Sequence, residues 1–144
     1  AGGNGDEMTN QTVINAIALA LEPLQATVYV TETKQDIRDG DIIVMATGTM
    51  SSRLTAWRYS VGYSFDVVYL SEDKEKALAV ADDLFELLEE INTDDGRIRG
   101  SGFSYHWADG ALHFLVTYQV LLIRAQEQGP MMKRLTINGG IKNG

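Results

Sequence analysis

The chain has no cysteine, so no disulfide can brace it and its stability must come from packing, a dependence that suits a reducing compartment. It is short of cations: 12 lysines and arginines stand against 20 aspartates and glutamates, for a formal charge of −8. That balance works against a sequence-independent grip on DNA, whose affinity comes from cationic side chains displacing condensed counterions. No apolar run approaches the ~20 residues needed to cross a bilayer, and the amino end carries no basic, apolar export signal. Only two histidines are present, and no glycine-rich phosphate loop, so the sequence offers few of the parts from which metal, nucleophilic or nucleotide chemistry is built.

What remains is ordinary for a folded domain. With 144 residues, 44% of them hydrophobic and 22% charged, the chain fits one domain that buries roughly two thirds of the surface its unfolded form exposes. Ala1 to Glu7 have no periodicity and read as a residual expression-tag scar ahead of a native start at Met8. Residues 8–129 read as a single α+β domain, and residues 130–144, polar and glycine-rich, as a flexible C-terminal tail.

The most informative stretch runs from Ile98 to Arg124. Phe103, Tyr105 and Trp107 share one face; beyond Asp109 and Gly110, so do Leu112, Phe114, Val116, Tyr118, Val120 and Leu122. This period of two marks half-buried strands, and Asp-Gly between them predicts a tight hairpin, since Gly110 tolerates positive φ and Asp109 can close the turn with its own side chain. Gly100, Ser101 and Gly102 lack the third glycine of a dinucleotide loop and read as a bulge. Upstream, Asn10 is placed to cap a helix with a stripe at Val13, Ile14, Ile17, Leu21 and Leu24, ended by Pro23. Strands follow at Thr27–Thr33 and Asp41–Thr47, paired through an Arg38–Gly40 corner, then an exposed loop over Gly48–Trp57 and a long strand over Arg58–Leu70. Ser71 caps a second helix, with Ala77, Val80, Ala81, Leu84, Leu87, Leu88 and Ile91 as its buried stripe. The order α-β-β-β-α-β-β predicts one mixed or antiparallel sheet of about five strands with both helices packed on one face. On the other face Val68, Leu70, Leu115 and Leu121 are more apolar than free solvent favours, which points to cover by a neighbouring subunit.

The hairpin segment Trp107, Ala108, Asp109, Gly110, Ala111, Leu112, His113, Phe114, with Tyr118 beyond it, resembles the closing hairpin of the prophage tail-terminator family, also called tail-completion proteins. The order of elements agrees from Met8 to about Leu135. The resemblance implies a structural role with no catalysis and no cofactor: a ring, usually of six subunits, that stops tail-tube growth at the end nearest the head and gives the neck a docking surface. It implies as partners other copies of the chain, the tail tube protein and neck or head-completion proteins, with DNA only as passing cargo and no membrane. It also implies assembly in the host cytoplasm followed by residence in the virion.

Candidate interface residues come from chemistry alone. Met50, Arg53, Trp57 and Arg58 gather the residue types enriched at protein interfaces on one predicted loop. Asp82, Asp83, Glu86, Glu89 and Glu90 recur at helical spacing and are placed to meet cations of another subunit, such as Lys133 and Arg134 beside the apolar pair Met131 and Met132. An acidic face lining a channel would also keep DNA from adhering. His106 and His113 flank the Asp109–Gly110 turn, where two imidazoles alone do not make a zinc site. A nuclease is the rival from another class, with Glu32-Thr33-Lys34 or Glu72-Asp73-Lys74 as acid-x-lysine triplets beside Asp41 or Asp66. Their placement at a first strand and at a helix cap is poor for Mg²⁺ chemistry, and a neck or head-completion adaptor is the nearer alternative.

Overall fold

A computed structural model describes residues 8–30, 36–125 and 133–137. Helix α1 (Asn10–Ala20) leads through a 3-10 turn (Glu22–Leu24) to strand β1 (Val28–Tyr29), β2 (Ile42–Arg53) and β3 (Arg58–Leu70). Helix α2 (Lys74–Leu88) precedes β4 (Glu90–Thr93), β5 (Gly96–Ala108), β6 (Ala111–Ala125) and β7 (Lys133–Ile137). Six strands lie in the order β1-β2-β3-β6-β5-β4, and β7 pairs with the far part of β6. The α+β architecture with both helices on one face agrees with the sequence; the strand number exceeds the five expected because β4 and β7 are short.

The centre of the sheet is the β3–β6 ladder, unbroken from Arg58 opposite Ile123 to Leu70 opposite Ala111. Directly opposed residues share a face, so Val61, Tyr63, Phe65, Val67 and Tyr69 meet Val120, Tyr118, Val116, Phe114 and Leu112, all buried. Against this floor α1 sets Val13, Ile14, Ala16 and Ile17, and α2 sets Ala77, Ala81, Leu84 and Leu88. Each large side chain so placed contributes about 1.5–3 kcal/mol relative to exposure. The alanines let the helices approach closely, and Pro23 sits in the 3-10 turn, beyond the last turn of α1.

The β5–β6 turn takes the conformation its residues favour: Asp109 and Gly110 have φ of 52° and 76°, the paired positive values of a type I′ turn. The bulge expected at Gly100–Gly102 is present as a register shift between Ser101 and Ser104, with Gly102 at φ 63°. Gly100 is required by space, since an added Cβ would lie 2.9 Å from Phe103 Cζ and from Val116 Cγ2.

Several expectations are corrected. The α1 cap is Thr9, whose side chain accepts from Thr12 N, and not Asn10. The α2 cap is Asp73, which accepts from Glu75 N and Lys76 N; Ser71 instead holds the preceding turn through Asp73 N. The first two strands do not form a hairpin, because β1 pairs with β2 in parallel. The corner is tied elsewhere: Gly40 N donates to Leu70 O at 2.7 Å and Leu70 N to Asp41 O at 3.0 Å, which starts β2 at the end of β3. Residues 31–35, which include much of the first expected strand and the Glu32-Thr33-Lys34 triplet, lie outside the described residues. Gly48–Arg53 is not a loop but the outer half of β2, paired with β3 beyond a bulge between Ala46 and Gly48. Its serines and threonines gave no apolar alternation, so only the partner strand reveals it. Glu90 and Ile91, expected to lie in the second helix ahead of a stop at Asn92–Gly96, instead open β4, which pairs Glu90–Thr93 with Gly96–Arg99.

Tyr118 is the polar point of the core. Fully buried, its hydroxyl donates to Leu88 O at 2.6 Å and pins the last turn of α2 to the sheet. Burial pushes the phenol well above its ordinary range. It therefore stays protonated in the folded chain while the unfolded chain ionises near pH ~10, so its contribution is full below that pH and is lost as pH rises above it. Tyr118→Phe is expected to lower stability by about 1–2 kcal/mol at pH 7 and to flatten the loss of stability above pH ~10, both read by urea denaturation across pH.

Candidate interaction surfaces

The apolar residues that the sequence placed on the sheet face opposite the helices are not exposed there; the large exposed apolar side chain on that face is Met50, level with Gly62 and Gln119. Val68 is 5% exposed, and Leu70, Leu115 and Leu121 are half-buried. Along the central pair that face carries polar links instead: Ser60 Oγ to Gln119 Oε1 at 3.2 Å, Ser64 Oγ with Thr117 Oγ1 at 2.8 Å, and Asp66 Oδ2 with His113 Nδ1 at 2.9 Å. His106 stacks on His113 with ring centroids 5.0 Å apart, as their cross-strand register dictates. Asp66 Oδ1 is buried and makes no hydrogen bond. Among the described residues no group of three or more such side chains has the geometry to hold a metal ion.

Apart from Leu19 on α1, 57% exposed, the large exposed apolar side chains of the described residues gather at two places. One is the arm formed by the outer halves of β2 and β3, where Met50 is 75%, Leu54 54% and Trp57 48% exposed. Its turn is built by backbone and arginine together: Leu54 N donates to Arg58 O at 2.7 Å, and Arg53 Nε donates to Thr55 O at 3.1 Å. The Arg53 guanidinium lies 5.9 Å from the Tyr59 ring centroid. Between Thr47 and Phe65 the charged residues are Arg53 and Arg58, so the arm's formal charge is wholly cationic.

The other is a groove between α2 and β5, lined by Ala81, Asp82, Phe85, Glu86, Phe103, Ser104, Tyr105 and Phe114. Its rings run in series: Phe85 meets Phe103 edge-on at 4.8 Å, Phe103 lies 5.9 Å from Phe114, and Phe114 stacks with Tyr105 at 6.3 Å. Phe85 and Tyr105 remain 43% and 47% exposed, and Asp82 and Glu86, one helical turn apart, form its acidic rim. Asp83 is exposed on the same helix but does not line the groove. Glu89 ends the helix and Glu90 leaves it, joining Arg99 at 2.8 Å and Arg97 at 3.3 Å. The Arg99 hydrogen bond holds the Glu90 carboxyl below its usual range.

The structure thus joins Arg53, Trp57 and Arg58 at one tip, with Met50 behind them, and joins Asp82 and Glu86 to aromatic rings that the sequence reading had assigned to strand framework. Helical spacing of Asp82, Phe85 and Glu86 was the signal for that grouping; the approach of β5 to α2 was not readable. Met131 and Met132 lie outside the described residues, while Lys133 and Arg134 begin β7, level with Ala125 and Arg124. The nuclease triplet is absorbed into structure: Glu72 N donates to Asp39 Oδ1, Asp73 caps α2, and Lys74 Nζ lies 6.0 Å from the Trp107 ring centroid. Asp41 Oδ2 accepts from Arg38 N at 2.8 Å. No described helix is long and apolar enough to cross a membrane.

A continuous sheet ladder with exposed aromatic and charged surfaces, and among the described residues no metal-binding group, is the geometry to set beside known proteins. The chain belongs to the phage tail terminator protein family, whose model matches residues 12–130. It is accordingly a structural component of a phage tail. No curated protein matches the sequence. A solved structure of 18% identity overlays 78% of this chain and 95% of its own at a TM-score of 0.41, a likeness too loose to carry argument.

The two tryptophans offer a check on the arm. Trp57 is exposed, whereas Trp107 is half-buried and donates from Nε1 to Ser71 O at 3.1 Å. Trp57→Phe is expected to remove most of the acrylamide-quenchable fluorescence and to change stability by less than about 0.5 kcal/mol, as surface substitutions do.

Proposed function

We propose that the chain caps the tail tube of a phage or phage-like particle. Subunits form a ring, of the six-fold kind the resemblance implies, on the last ring of the tube; the ring blocks further addition and gives the neck its docking surface. The family match over residues 12–130 carries this reading. The two docking surfaces support it, because a ring subunit must contact neighbours on both flanks as well as the tube. The work is mechanical and needs no turnover.

The partners are other copies of the chain, the tube protein and neck or head-completion proteins, met in the host cytoplasm during assembly and kept at the head-proximal end of the tail. The formal charge of −8 fits a ring through which DNA passes without sticking. Residues 8–129 act as the working domain, and the Met131–Arg134 segment remains a candidate contact beside the arm and the groove.

Electron microscopy of particles assembled without the chain tests this directly. Tails of excess and variable length are expected. Tails of normal length lacking heads would assign the chain to neck adaptation instead.

A further inference from the structure

We infer that the β2–β3 arm of one subunit docks in the α2–β5 groove of the next copy, and that this head-to-tail contact closes the ring. The inference rests on the terminator reading above and specifies which surfaces build the ring.

The two surfaces are complementary in charge and in form. The arm presents Leu54 and Trp57, both about half exposed, with Arg53 and Arg58 as its charges. The groove presents open aromatic edges at Phe85 and Tyr105 between Asp82 and Glu86. Seating Leu54 and Trp57 among those rings removes apolar surface from water on both partners, at about 25 cal/mol per Å². A buried aromatic anchor ringed by charge pairs is the usual composition of an interface hot spot. The opposed charges set orientation more than strength, and like surfaces repel: arm against arm brings arginines together, and groove against groove brings carboxylates together.

The sheet forbids the same contact within one chain. Phe114, on the groove floor, is level with Val67, and the arm tip begins at Arg58, nine residues back along β3, a distance of about 30 Å at the rise of a strand. The ladder between them is continuous, so the tip cannot fold back. An arm that fits only another copy's groove, with its own groove free for a third copy, is a heterologous contact. Such contacts make a closed ring when the rotation between copies closes, and a filament when it does not.

Because the chain has no cysteine, paired cysteines report the contact cleanly. In tails assembled from a chain with Ala56→Cys at the arm tip and Ser104→Cys at the groove, both exposed positions, a short bis-maleimide is expected to give a ladder of linked subunit multiples on a denaturing gel, while each single variant gives none. Adding Asp82→Lys and Glu86→Lys, both at exposed positions, should lower the linked fraction about tenfold, the scale of reversing a close interfacial charge pair, with the thermal midpoint close to that of the parent. Terminal rings seen by microscopy without linked multiples, or linkage undiminished by the groove substitutions, would overturn this contact and leave the terminator reading intact. Normal tail length on deletion of the chain would sink that reading instead.

Discussion

The structure depends on the pairing of β3 with β6. Thirteen residues of each strand run opposite one another without a shift, from Arg58 and Ile123 to Leu70 and Ala111. One face of this ladder is the floor on which both helices sit; the other is laced by Ser60–Gln119, Ser64–Thr117 and Asp66–His113. A one-residue slip of β3 against β6 would turn Phe65 and Val67 outward while Phe114 and Tyr118 stayed inward. The apolar faces of both strands therefore enforce the same register, and Tyr118 adds a directional tie to the end of α2.

That rigidity explains where the working surfaces lie. The helices cover the middle of the floor, so β2 and β3 run on as an arm whose outer residues, from Thr47 to Trp57, are exposed. At the opposite end α2 crosses β5 where Phe85 packs on Phe103 but leaves Tyr105 about half exposed. Most of the exposed large apolar side chains thus fall at two distant places on one sheet. Under the proposed function, surfaces that cannot meet each other within one chain are available to other subunits.

Local chemistry made much of this legible. The Asp109–Gly110 turn, the Gly100–Gly102 bulge, the long third strand and the stripes of both helices are written in spacing and in residues with one conformational use. Failures came where a segment's structure was set by its partner. Gly48–Arg53 has no apolar period because it is exposed on both faces, yet β3 makes it a strand. Thr27–Thr33 looked like half a hairpin, but hydrogen bonds from the corner to Leu70 carry the chain to a parallel entry. Glu89 and Glu90 kept the helical spacing of Asp82 and Glu86, and the pairing of Glu90 with Arg97 and Arg99 across β4 and β5 took Glu90 off the helix.

By itself the sequence determined which faces are apolar, where the chain turns, the α+β class and the cation-poor balance that disfavours nucleic-acid binding, because these follow from periodicity, φ preferences and charge. It also named the residue types of the docking surfaces. Only the tertiary structure decided that Trp57 and the arginines share a projecting tip, that Asp82 and Glu86 rim an aromatic groove, and that about 30 Å of unbroken sheet separates the two. Those facts depend on which strands pair and on how far a ladder extends past the helices, and both are set by contacts between residues far apart in the chain.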